Sequence, residues 1–200
     1  MRSKIFFDEN RRLSAAKWIL RERVAKTSDL LNQNPSAKNL GLSPDLYSDL
    51  SKPFISMIDS ASSSVDLLTA EARYAKSLYA MVSKCADREG FLRTPGEGND
   101  DANRLLDHAN YLCYGAASVS LHGLGISFSM AVLHGKTRRG GLVFDIADLI
   151  KDGLSLPCAF CAAAERKGSQ KMREEIIRNI HNLNILPWLF DAIKRITDEC

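Results

Sequence analysis

Two hundred residues, 45% of them hydrophobic, carry 27 Lys and Arg against 24 Asp and Glu, a net charge of +3. That balance excludes a histone-like polycation and an acidic disordered chain, and it admits nucleic acid only where the basic residues cluster. Five cysteines in this length form no disulfide scaffold, which points to a reducing cytoplasm.

Helical periodicity dominates from the start. Leu13, Ala16, Leu20 and Val24 follow the i, i+3, i+4 rule and predict a basic helix over residues 8–32, broken at Asn34-Pro35-Ser36. Ser43-Pro44-Asp45 opens a second helix, and the serines at 60–64 precede a third over 65–84. Residues 86–100, with Gly90, Pro95, Gly96 and Gly98, read as a loop with room for a short hairpin. Asn99-Asp100-Asp101 caps a long helix to about residue 122. Gly135 and Gly140-Gly141 bracket a basic loop, followed by a helix over 142–152. Pro157 opens another, and two more close the chain, separated near Pro187. The nine-residue apolar run Leu156–Ala164 is far short of the ~18 that span a bilayer. Ile5-Phe6-Phe7 is too short for a signal-peptide core. The expectation is an all-α chain, one domain over 1–200, cytoplasmic and without a membrane partner.

Several polar residues break this pattern. With Leu67 as origin on a helical wheel, Glu71 falls at about 40°, between Leu78 and Val82 in the apolar stripe. An ionised carboxylate there needs a cation, so Glu71 is either paired with an Arg or a metal ligand or general base. His134 ends the apolar run Met130–Leu133 and enters the loop Gly135–Gly141, where a rigid segment meets a flexible one. Asp145, Asp148 and Asp152 share one helix face, as a solvated acidic surface or as carboxylates whose repulsion a divalent cation would relieve. Asn103, Asp107, Asn110 and Tyr114 form a polar stripe suited to a helix–helix contact or to support of the acidic helix.

Other motifs fail. Gly135-Lys136-Thr137 mimics the end of a phosphate-binding loop, but Met130 stands where that motif needs Gly and no strand precedes it. Cys158-Ala159-Phe160-Cys161 has no second CxxC to complete a zinc site. His108, His122 and His181 have no ligand spacing.

The run LHGKTRRGGLVFDIADLIKD, residues 133–152, resembles the CRISPR spacer-acquisition integrase, the first-numbered and most widespread Cas protein, above all its subtype I-F branch. LLTAEARYAKSLY (67–79), DANRLLDHANYLCYG (101–115) and FFDENRRLSAA (6–16) resemble family segments in the same order, so the likeness covers nearly the whole chain. The resemblance implies a metal-binding trio of Glu71, His134 and Asp148, with Asp145 a further acidic catalytic residue beside it. It implies Mg²⁺ or Mn²⁺, joining of prespacer 3′-OH ends to the CRISPR leader-repeat by transesterification, and cleavage of branched DNA. Lys136, Arg138 and Arg139, adjacent to His134, suit the DNA backbone, or else a solvated loop. Family members usually carry a β-rich N-terminal domain ahead of the helical one; Met1 falls where the helical domain begins, so that domain is expected to be absent. In relatives it supports dimerisation and contact with a companion adaptation protein. Here the expected assembly is a homodimer or tetramer held by helical surfaces or by DNA, with Tyr47, Phe54, Trp188 and Phe190 as contributors to that surface or to the core. The alternative is a non-catalytic helical DNA-binding subunit, or an inactive fragment, that kept the scaffold.

Overall fold

The structure, a computed structural model, describes residues 8–96, 100–134 and 139–199. Among these residues it holds nine helices and no strand. Asp8 caps α1 (Glu9–Gln33), its carboxylate accepting from the Asn10 and Arg11 amides at 3.0 and 3.1 Å. These donors have no partner within the helix, so the cap stabilises its first turn. Chain then breaks at Asn34, as the proline predicts. It restarts at once as the one-turn α2 (Pro35–Asn39), whose first amide is capped by the Asn34 side chain. That short helix was not anticipated, because the same Asn-Pro signal that ends one helix also starts the next.

Ser43 and Pro44 open α3 (Pro44–Ser60), and Ser63 and Asp66 form a reciprocal capping box at the start of α4 (Ser64–Cys85). Asp100 caps α5 (Asp101–Gly123). Gly140, in the left-handed region at φ 71°, leads into α6 (Gly141–Lys151), and α7 (Ser155–Ala164) follows directly. The apolar run expected to be too short for a membrane is this α7. Its residues from Ser155 to Ala163 are all buried, at the centre of a bundle where α5 and α8 (Ser169–Asn182) pack against it. No helix is long and apolar enough to cross a membrane among the described residues.

Two expectations need correction. The described part of the 86–100 loop contains no hairpin. It is clasped instead by the polar stripe of α5: Asn103 accepts from Thr94 N, and Asp107 from Gly96 N, while Arg93 donates to both side chains. The last two helices divide at Leu183–Asn184, with Asn184 at φ 50°, rather than at Pro187. Pro187 lies in the first turn of α9 (Ile185–Glu199), where a missing N–H costs no hydrogen bond.

The close approach that brings the site together is at Gly153, in the link between α6 and α7. A Cβ there would lie 2.5 Å from Leu30 Cβ and 3.1 Å from the Thr27 carbonyl of α1. Asn34 Nδ2 donates to the Gly153 carbonyl at 2.9 Å, tying the end of α1 to the same link. Helix α1 therefore packs along α6, and α4 packs on α3 and α1. Tyr47 and Phe54 are only 1% exposed, and the Phe54 ring stacks on Tyr74 at 4.2 Å. These two belong to the core and are not available to an assembly surface.

Candidate metal centre

Capping and packing determine where each acidic side chain points. In α4 the buried side includes Ala70 and Tyr74 as well as Leu67 and Leu78, so Glu71 sits on its flank rather than at its centre. From there its side chain, 14% exposed, reaches the gap between α1 and α6. His134 closes the segment ahead of the basic loop. Its ring Nδ1 lies 2.6 Å from Asp145 Oδ1, and the same carboxylate accepts from the amides of Val132, Leu133 and His134. With a carboxylate as acceptor, Nδ1 carries the proton, and Nε2 faces Asp148 Oδ2 at 3.9 Å.

One ligand-type atom from each of Glu71, His134 and Asp148 lies within 4.8 Å of the others. Residues separated by more than sixty positions in sequence thus meet at one point. Asp145 is not in that group; it holds the far side of the imidazole. The three aspartates expected on one face have in fact three separate surroundings. Asp152 receives a two-pronged contact from Arg23, Nε at 2.7 Å and Nη2 at 3.2 Å, together with the Tyr74 hydroxyl at 2.9 Å. Asp148 pairs with the Lys151 ammonium, whose other side lies over the Tyr114 ring.

Arg23 is the residue that the sequence pattern missed. It is 5% exposed, and its Nη1 donates to Glu71 Oε1 at 2.5 Å and lies 3.8 Å from Asp148 Oδ2. A signal was present. Leu20, Arg23, Val24 and Thr27 occupy i, i+3, i+4 and i+7, which places the Arg in the buried stripe. The Arg-paired reading of Glu71 is therefore realised, and the same carboxylate also belongs to the group that could hold a metal ion.

Charge balance fits a divalent ion. Four carboxylates, Glu71, Asp145, Asp148 and Asp152, face two fixed cations, Arg23 and Lys151. With neutral His134, two negative charges are left over. Asp148 Oδ1 is taken by the Lys151 ammonium, while Oδ2 lies 3.8 Å from Arg23 Nη1 and 3.9 Å from His134 Nε2. Burial alone would push the Asp148 carboxyl up, but Lys151, Arg23 and His134 together hold it below its ordinary value. The hydrogen bond to Asp145 raises the His134 imidazole above its usual value; burial opposes this, and Asp148 and Glu71 add to it. One nitrogen and two carboxylates, with room left for other oxygens, form a donor set suited to Mg²⁺ or Mn²⁺.

The remaining expected positions are distributed as follows. Arg139 is exposed and lies just ahead of α6, while Lys136 and Arg138 fall outside the described residues. Asn110 accepts from Ser155 Oγ at 2.8 Å, so the polar stripe serves the loop, then α7, and at Tyr114 the acidic helix. Cys158 and Cys161 are buried on α7, and Cys158 lies among Asn34 and Asn179.

The chain is thus an all-α protein in which Glu71 of α4, His134 of the segment ahead of the basic loop and Asp148 of α6 form a group that could hold a metal ion. Residues 2–158 match the family model described as CRISPR associated protein Cas1, and the chain belongs to that family. The CRISPR-associated endonuclease Cas1 of Pseudomonas aeruginosa strain UCBPP-PA14 is 38% identical over 197 residues, 97% of this chain and 61% of that protein. The chain therefore spans about three fifths of that relative's length. Among solved structures, a TtCas1–DNA complex aligns with TM-score 0.65 and 20% identity, covering 89% of this chain and 66% of the other. A casposase bound to integration product aligns with TM-score 0.73 and 14% identity, covering 98% and 63%. At these identities the two structures establish a shared fold.

Proposed function

We propose that the chain carries out the divalent-metal-dependent DNA chemistry of CRISPR adaptation: joining prespacer 3′-OH ends to the leader-repeat by transesterification, and cleaving branched DNA. The observation that carries this reading is the meeting of Glu71, His134 and Asp148 within 4.8 Å, in a chain whose relative is a CRISPR-associated endonuclease. The DNA and integration product held by the two fold relatives support the same class of substrate.

Each side chain has a distinct task. Glu71, His134 and Asp148 would hold Mg²⁺ or Mn²⁺, which when bound polarises a scissile phosphate and stabilises the leaving oxygen. Asp145 orients the imidazole through Nδ1 and keeps Nε2 directed at the site. Arg23 fixes Glu71 while neutralising part of the carboxylate charge, which keeps the pocket assembled. Arg139, with Lys136 and Arg138 in the same loop, would contact DNA phosphates irrespective of sequence.

Joining both ends of a duplex requires two metal centres on one assembly, and each chain supplies one such group among its described residues. A homodimer or tetramer on DNA would meet that requirement. The test is integration into a supercoiled plasmid carrying a leader and repeat, with Mg²⁺ or Mn²⁺. Product from the unaltered chain and none from Asp148→Asn is expected; equal product from both would refute the reading. Light scattering on DNA should give at least twice 22.2 kDa, and a strict monomer would leave only nuclease activity.

A further inference from the structure

A second basic feature lies away from the metal centre, in a cleft of about 320 Å³ between the start of α5, the end of α7 and the start of α8. Four of its walls are cations: Arg88, Arg104, Arg166 and Lys167. Asp101 is the acid among its described lining residues, and Glu165 stands just outside. Arg88 is fixed by donating to the Ala163 carbonyl at 2.7 Å, which leaves the rest of its guanidinium fork at the wall. Arg104 pairs with Asp101 at 2.5 Å, and Lys167 pairs with Glu165, both at exposed positions. Such pairs contribute about 1 kcal/mol or less, so either cation loses little by exchanging a carboxylate for a phosphate. No acid lies against Arg166 among the described residues.

The lining contains no aromatic ring, so the cleft offers no platform for stacking an unpaired base. What it does offer is charge for a backbone. Its position relative to the metal centre is equally specific. Arg104 also lines a larger groove of about 700 Å³ that reaches Tyr114 and Phe144. The Tyr114 ring lies under the Lys151 ammonium, and Lys151 pairs with Asp148. Arg104 and Tyr114 are ten residues apart on α5, about 15 Å at 1.5 Å per residue.

We propose that this cleft grips the phosphate backbone of duplex DNA at a point separate from the phosphate positioned at the metal centre. The inference rests on the reading that the chain acts on DNA, and adds a second point of contact that sets the direction of the duplex along α5. Two separate contacts fix an angle that one contact leaves free.

The test is the double variant Arg166→Asn, Lys167→Gln. Asn tolerates the left-handed backbone of Arg166, at φ 54°, so the substitution removes charge without new strain. Binding of a branched duplex long enough to reach the cleft should weaken about tenfold or more at moderate salt. The slope of log affinity against log salt should fall by about one unit per lost phosphate contact. Mn²⁺ affinity, read by electron paramagnetic resonance, and binding of a duplex too short to reach the cleft should be unchanged. A variant with the original slope and affinity on the long duplex overturns the cleft proposal alone. Failure of the unaltered chain to bind any DNA overturns the functional reading, and the cleft proposal with it.

Discussion

The Asp145 carboxylate holds His134 from two sides at once, bonding the ring Nδ1 at 2.6 Å and the amides of residues 132–134 through the same two oxygens. One helix residue thereby fixes both the path of the chain into the basic loop and the direction of the imidazole. Replacing Asp145 with Ala should therefore have two separable effects. Buried amides lose their acceptor, at about 1–3 kcal/mol of stability by urea unfolding. Mn²⁺ affinity should drop about 10–100-fold, because the ligand nitrogen is no longer oriented. Unchanged metal affinity in the folded variant would show that His134 orients itself.

Asp148→Asn should abolish strand transfer and leave DNA binding close to the original. The change removes a ligand charge from the trio while Arg139 and the cations of the distal cleft are untouched. Parallel integration and filter-binding assays separate the two outcomes.

Arg23→Met should be among the most destabilising single changes in the chain. It leaves Glu71 and Asp152 without their buried counter-ion, a situation that costs about 3–5 kcal/mol. Part of that loss should be recovered by adding Asp152→Asn, since the second change removes one of the two orphaned charges. Additive losses in denaturant midpoints would argue that the pair is not coupled.

Burial pushes the Cys113 and Cys158 thiols up to about 12, and both side chains are fully enclosed. At pH 8 the thiolate fraction is then very small, and neither should be alkylated in the native protein. Half-buried Cys85 should react before either of them. Mass spectrometry after a timed iodoacetamide pulse checks the order.

Gly153→Ala should destabilise the chain by about 1–3 kcal/mol, because its methyl meets Leu30 Cβ at 2.5 Å and the α1 backbone behind it. Separation of α1 from α6 should also shift Arg23 relative to Asp152. A melting temperature equal to the original would show that the link relaxes without penalty.

The all-α class and most helix positions were legible in the sequence because they depend on local signals: Ser43-Pro44 and Asn99-Asp100-Asp101 stand where helices start, whereas the caps at Asp8 and Ser63 emerge from the structure. The apolar stripes likewise announced which faces turn inward. Glu71, His134 and Asp148 were each visible as polar residues at odds with their surroundings, and resemblance grouped them. What a periodic pattern could not decide was which oxygen faces what. Asp145, Asp148 and Asp152 are alike on a helical wheel, yet one holds an imidazole, one meets Glu71 and His134 and one receives an Arg from α1. Those assignments depend on how α1, α4 and the segment before the basic loop approach α6, over separations of up to 129 residues. Arg23 shows the reason. A buried guanidinium is tolerable only where counter-charges meet it, and the convergence of three carboxylates on Arg23 is a property of the packed helices, not of any one of them.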